Sequence, residues 1–325
     1  MKLILRILAY IVLAFALLVG AFIAWSWAPD IPVEQLKARW APPPSQFIDV
    51  DSLQVHVRDE GPRADPLPIV LVHGTSASLH TWEGWASELK KTRRVIRFDL
   101  PGFGLTGPNA NNDYTRDVYV RFVGALMDKL GVQRFVIGGN SLGGDVAWTV
   151  AHAHPQRVDR LILVDSAGYP IASRSVPLGF RIAGTPALRS IMANILPPGL
   201  MAHSIRNVYG DPSRVQPELV ALYTDMARRT GNRQALGAAL QQRLAQMDSG
   251  RERDIKTLKL PTLILWGGQD RLIPPAYAQR FAADIAGAKL VMFEQLGHVP
   301  QEEDPAATLV PVRTFLQEAA AGGKP

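Results

Sequence analysis

A serine, an aspartate and a histidine follow one another along this chain, each beside the end of a short apolar run. The serine is Ser141, inside "GGNSLGG" at 138–144. Upstream lies "RFVI", with the composition of a strand; downstream lies "DVAWTVAHAHPQRV", with helical spacing. Glycine in a helix costs about 1 kcal/mol against alanine, so four glycines around one serine need a compensating reason. "GNSLG" fits G-x-S-x-G, a spacing that sets the serine on a sharp, strained turn between strand and helix. Such a turn has little room for side chains at Gly139 and Gly143, and it pushes the Ser141 hydroxyl out at the carboxyl edge of a sheet. The helix that starts there directs the backbone N–H of Leu142 toward any oxyanion formed beside Ser141. A chain this long meets the pattern by chance roughly one time in ten, so the pattern alone decides nothing.

Two further residues give it weight. Asp270 ends the strand-like "TLILWGG", and His298 follows "KLVMFEQLG". Both therefore belong at carboxyl ends of strands, on the edge where Ser141 is exposed. A serine hydroxyl is a poor nucleophile until a base takes its proton, and histidine, with a pKa of about 6.5, does so at neutral pH. The aspartate fixes the tautomer and stabilises the imidazolium. "HGTS" at 73–76 follows another apolar run and supplies a second oxyanion donor, the backbone N–H of Thr75.

The elements that must hold these residues alternate. "QFIDV" and "LQVHVRDEG" pair as two strands. "PIVLVHG", "RVIRFDLPGFG", "RFVIGGNS", "VDRLILVDSAG", "PTLILWGGQD" and "AKLVMFEQLGH" read as further strands, separated by helical stretches such as "DVYVRFVGALMDKLG" and "PPAYAQRFAADIAG". Continuous apolar strands alternating with helices predict an α/β fold, a mostly parallel sheet covered on both faces. The stretch 168–256 breaks the rhythm: it is helical, proline-broken and rich in arginine, and reads as a lid inserted over the sheet.

"HGTS", "DLPGFG", "GNSLGG", "WGGQD" and "GHVPQEEDP" together resemble the α/β-hydrolase family, over about residues 46–320. The resemblance implies an eight-stranded sheet with Ser141 as nucleophile, Asp270 as acid, His298 as base, and Thr75 and Leu142 as the oxyanion hole. Some relatives carry the acid where Asp165 stands, at the end of "LVDSAG"; otherwise that residue is a cap or turn with no catalytic role. Dehalogenase and epoxide-hydrolase relatives have an aspartate at the position of Ser141, so their reactions are not expected. "GNSLGG" also resembles the nucleophile motif of the carbon–carbon hydrolases that cleave vinylogous diketone acids. Those relatives carry a glycine-rich loop after "HG", where this chain has "TSAS", and tryptophan after the catalytic histidine, where Val299 stands. The expected activity is carboxylic ester hydrolysis through an acyl-enzyme. Carbon–carbon hydrolysis is the alternative, and a catalytically inactive binding module the second.

The N-terminus differs from the rest. Ile7 to Trp27 carries no charge over 21 residues, about 31 Å of helix against a bilayer core of roughly 30 Å. Trp25 and Trp27 fall where an interfacial aromatic belt lies, and Lys2 and Arg6 orient the remainder outside the cytoplasm, in the periplasm of a bacterium. A signal peptide cleaved after Ala21 is the competing reading. The expected organisation is an anchor at 1–28, a proline-rich linker at 29–45, the first part of the core at 46–167, the lid at 168–256 and the rest of the core at 257–325.

With no cysteine in 325 residues, disulfide scaffolds and zinc–thiolate sites are excluded. No cofactor, metal site or nucleic-acid partner is expected: the net charge of +6 is modest and no basic stripe is dense. The partners are a small ester or acyl substrate and the membrane. His73, His80, His152 and His154 read as structural or surface residues. From 168 to 255 there are eleven arginines, no lysine and six acidic residues. That excess suits a solvated surface, an anionic substrate or acidic lipid headgroups.

Overall fold

The computed structural model describes residues 2–170, 172–183, 185, 194–246 and 250–318. Two helices, α1 (Lys2–Trp25) and α2 (Val33–Trp40), precede the sheet. The first part of the core runs β1 (Gln46–Val50), β2 (Leu53–Glu60), β3 (Ile69–Val72), α3 (Glu83–Leu89), β4 (Val95–Phe98), α4 (Arg116–Lys129), β5 (Phe135–Asn140), α5 (Leu142–Ala153) and β6 (Val158–Val164). The lid follows as α6 (Leu178–Ala183), α7 (Leu200–Val208), α8 (Pro217–Arg228) and α9 (Asn232–Gln246). The chain returns to the sheet with β7 (Thr262–Gly267), α10 (Ala276–Asp284), β8 (Lys289–Phe293), α11 (Pro300–Glu303) and α12 (Pro305–Glu318).

The eight strands form one sheet in the order β1-β2-β4-β3-β5-β6-β7-β8. β1, β2 and β4 pair antiparallel; from β4 to β8 every pair is parallel. The central strands are buried along their whole length, which is why they read as unbroken apolar runs instead of alternating ones. Helices cover both faces. Trp148, Trp266 and Phe281 fill one layer; Trp82, Trp85 and Phe315 fill the other. Register then does the positioning: Val72 pairs with Gly139, Asn140 with Val164, and Val164 with Leu265. The residues that follow β3, β5, β6, β7 and β8 therefore emerge along one rim.

None of the residues of α1 is buried against the rest of the protein. Its 24 residues span about 36 Å, and it is long and apolar enough to cross a membrane. The stretch after it, read from its prolines as a linker, is docked on the lid. Ala28 N–H donates to Asn194 O and Leu196 N–H to Ser26 O, each at 2.9 Å. Asp30 pairs with Arg233 at 2.5 Å. Leu36 and Trp40, four apart on one face of α2, pack with Leu105, Leu222 and Met226, and Trp40 Nε1 donates to Asp225 at 2.9 Å. The prolines stop the helix, but the apolar pair before them has a lid surface to bury against. Of the residues counted in the lid's charge, Arg189 and Asp248 lie outside the described residues.

Candidate active site

Ser141 stands between β5 and α5 with φ 55° and ψ −117°, a backbone conformation that L-residues rarely hold. The neighbours that permit it are glycines for a steric reason. A Cβ on Gly139 would lie 2.0 Å from the carbonyl oxygen of Gly143, and a Cβ on Gly143 would lie 2.1 Å from that of Val72. Strand, turn and helix are packed too closely for any side chain there, as the G-x-S-x-G spacing implies.

On the far side of the cleft, His298 Nδ1 meets Asp270 Oδ2 at 2.7 Å, and both side chains are buried. The other oxygen of that carboxylate, Oδ1, accepts the backbone N–H groups of Leu272 and Ile273 at 2.8 and 2.9 Å. Since the carboxylate accepts at Nδ1, the hydrogen is on Nδ1, and Nε2 keeps its lone pair for a proton from elsewhere. Ser141 and His298 line the same cavity.

Asp165, at the end of β6, lies beside this pair. Carboxyl oxygens of Asp165 and Asp270 and a ring nitrogen of His298 all fall within 4.8 Å of one another. Asp165 Oδ1 accepts the N–H of Gly267 at 3.0 Å, but its Oδ2 meets no donor. Two buried carboxylates in contact cannot both ionise. Burial first, and the charge of Asp270 second, push the Asp165 carboxyl well above the usual range, with Glu303 adding to the effect. A proton on Asp165 makes it a donor to Asp270 and leaves neither oxygen orphaned.

Thr75 and Leu142 line one recess beside the cleft. Leu142 is the first residue of α5, where N–H groups have no intrahelical acceptor. Thr75 lies in the loop after β3. Neither N–H has a protein acceptor among the described residues. The Thr75 loop is braced by His73, whose Nδ1 donates to Gly74 O at 2.7 Å while its Nε2 accepts Leu100 N–H at 2.9 Å. That pattern requires the neutral ring, and burial lowers its pKa accordingly. His80 is packed instead of facing the cleft. Its Nε2 bonds Trp40 O at 2.8 Å, and burial lowers its pKa to about 4.

Two braces were not legible beforehand. Asn140 Nδ2 donates to both Val164 O at 3.1 Å and His298 O at 2.9 Å, clamping the histidine loop to the serine strand. From above, Val208 O at the end of α7 accepts His298 N–H at 2.7 Å. Asparagine before the serine was in plain view in "GNSLGG"; only the return of a distant loop gives it a task.

The cleft divides. A cavity of about 70 Å³ holds Thr75, Ser141 and His298 together with Phe180, Met201 and Ile205. A second, of about 90 Å³ and mostly apolar although Arg233 and Gln234 stand in its wall, shares Ser76, Phe180, Met201 and Ser204 with it and is lined by Ile195 and Leu196. A third, wider one of about 400 Å³ joins Ser141 and Thr75 to Leu240 and Arg243 of α9.

A model of the "Alpha/beta hydrolase family" matches residues 69–311. The 2-hydroxymuconate semialdehyde hydrolase of Pseudomonas sp. (strain CF600) is 32% identical over 78% of this chain and 88% of its own. Among solved structures, a meta-cleavage product hydrolase of Pseudomonas fluorescens IP01 is 27% identical with a TM-score of 0.72, covering 85% of this chain and 97% of that one. A membrane phospholipase A, described as a bacterial virulence factor, is 25% identical with a TM-score of 0.68 and covers 98% of this chain and 99% of its own, the N-terminal helix included.

Proposed function

The chain belongs to the alpha/beta hydrolase family, and from that premise we propose a membrane-held serine hydrolase that cleaves carboxylic esters of lipids. Ser141 Oγ attacks the ester carbonyl carbon while Nε2 of His298 takes its proton. The carbonyl oxygen becomes an oxyanion that accepts the N–H groups of Thr75 and Leu142. Asp270 keeps the hydrogen of His298 on Nδ1 and stabilises the imidazolium. Collapse of the intermediate breaks the bond to the alcohol, which leaves with the proton from Nε2. Water then attacks the acyl-enzyme by the same route, its proton passing through His298 back to Ser141 as the acid departs.

One observation carries the lipid ester reading: the mostly apolar cavity beside that of the serine, which shares Ser76, Phe180, Met201 and Ser204 with it and is walled by Ile195 and Leu196; we read the two as one acyl gallery. The backbone there bonds to Ser26 and Ala28, directly after α1, so an acyl chain filling the gallery ends beside the membrane. The likeness to a membrane phospholipase A along the whole chain supports the same reading. With α1 as anchor, Lys2 and Arg6 hold the catalytic domain outside the cytoplasm. Carbon–carbon hydrolysis is the second reading, favoured by the names of the relatives. Val299 argues against it, being buried against Ile205, Tyr209 and Val215 of the lid instead of presenting an aromatic ring.

The test uses the full-length chain in neutral detergent. A series of 4-nitrophenyl esters from four to sixteen carbons is compared with a ring-cleavage dienoate. Each methylene buried is worth about 0.8 kcal/mol, about fourfold in kcat/KM, so the twelve-carbon ester should exceed the four-carbon one by at least tenfold. A dienoate preferred by more than about 100-fold reverses the choice of bond. A fluorophosphonate that fails to label Ser141 returns the chain to the class of binding modules.

A further inference from the structure

Part of the lid's arginine excess is spent on scaffolding. Arg228 donates to Pro29 O, Arg229 to Thr106 O and Arg233 to Asp30, which fastens the lid to the anchor-side segment and the sheet. Arg214 donates to Glu303 O near the histidine loop. Arg174, Arg181 and Arg206 are exposed, whereas Arg243 is not. It sits on α9 with its side chain half-buried, and its guanidinium has no hydrogen-bond acceptor among the described residues. It lines the wide cavity with Ser141 and Thr75, and a second recess with Thr75 and Leu142. The serine and both oxyanion donors thus share walls with a half-buried cation; Arg181 lines the wide cavity too, but is exposed.

The neighbouring charges do not neutralise it. Asp145 faces it, but Asp145 Oδ2 is bonded to Arg116 Nε at 2.9 Å. Two guanidiniums meet one carboxylate, and the balance stays at one positive charge even if Arg243 turns to the unoccupied Asp145 Oδ1. Burial and Arg116 pull the pKa of Arg243 down while Asp145 and Tyr119 hold it up; arginine does not shed its proton at physiological pH. A half-buried cation with five donors and no protein acceptor is completed by an anion.

The apolar gallery leaves the serine on one side, and Arg243 stands in the wide cavity. An ester bound with its acyl chain in the gallery has its alcohol half in that cavity. We propose that Arg243 binds an anionic oxygen group, phosphate or carboxylate, on the alcohol half of the substrate, so that this enzyme selects acidic lipid esters over neutral ones. This rests on the ester reading and adds the substrate's charge to it.

The test pairs esters with one acyl chain: 1-dodecanoylglycerol 3-phosphate against 1-dodecanoylglycerol, and dodecanoyl glycolate against its amide. A charge-assisted pair is worth about 30-fold, so the wild type should prefer the acidic member of at least one pair by that factor in kcat/KM. Phosphate or carboxylate is named by which pair separates. Arg243→Gln should bring the preference to near unity, and Arg243→Lys should keep part of it for phosphate. No preference in the wild type, or an undiminished one in Arg243→Gln, overturns the proposal and leaves ester hydrolysis standing. Turnover of no ester at all overturns both. Should Arg243→Gln fold poorly, inhibition of the wild type decides: dodecyl phosphate or dodecanoyl-free glycolate analogues such as dodecyloxyacetate should bind at least about tenfold tighter than dodecanol, and equal inhibition overturns the proposal.

Discussion

Two neighbouring strands end in a buried aspartate, β6 in Asp165 and β7, after a short turn, in Asp270, yet the two carboxyls live in opposite surroundings. Asp270 meets two backbone N–H groups and an imidazole. Asp165 meets one N–H and the other carboxylate. Both are nearly fully buried, at 0% and 1% exposure. Burial therefore does not distinguish them; the count of donors does. Asp165, with a single N–H and a carboxylate beside it, is pushed well above the usual carboxyl range, which favours a proton shared with its neighbour. Residue type and strand position make a candidate acid, and the hydrogen-bond environment decides which candidate serves.

The largest break of that asymmetry is Asp270→Asn. It removes the charge that stabilises the imidazolium and invites the wrong tautomer, so kcat should fall about 10⁴-fold, measured on a twelve-carbon ester with the variant's melting checked beside wild type. A loss below tenfold would mean that Asp165 carries the acid role.

Asn140→Ala probes the clamp between the two strand ends and the histidine loop. It strands two buried carbonyls, those of Val164 and His298. Displacing His298 by a fraction of an ångström should cost roughly tenfold in kcat, with KM nearly unmoved. A pure loss of thermal stability at unchanged kcat would demote Asn140 from a positioning residue to a structural one.

The smallest effect on turnover belongs to Asp165→Asn, which keeps an acceptor for Gly267 and a donor for Asp270; kcat should stay within about threefold. Its signature is in the pH dependence. The folded protein holds a proton on Asp165 that the unfolded chain releases above about pH 4. Stability linked to Asp165 is therefore complete below that pH and is lost as pH rises toward the raised folded value. Asparagine has no proton to lose, so the variant should gain stability over wild type as pH rises from 4 to 8, read as melting temperature at each pH. A constant difference across that range would mean that Asp165 is ionised in the folded protein.

Most of this chain was legible early because its signals are local. Gly139 and Gly143 announce a turn with no room for Cβ, and unbroken apolar runs announce strands buried on both faces. The order of Ser141, Asp270 and His298 follows from those strand ends. In the segment 29–45 the prolines are a local signal, whereas its partners on the lid are not. Leu36 and Trp40 acquire meaning only against Leu222 and Met226, more than 180 positions away in the chain. The sequence by itself determined the family, the rim of candidate catalytic residues and a helix long enough to cross a membrane, since each depends on residues close together or on simple order. Tertiary structure alone decided which aspartate faces His298, where Asn140 reaches, that a mostly apolar cavity lies beside the base of α1, and that Arg243 is half-buried at the wall of the cleft. Those are matters of which distant groups meet in a buried space, and a buried charge, proton or acyl chain is governed by the donors and apolar surfaces that surround it.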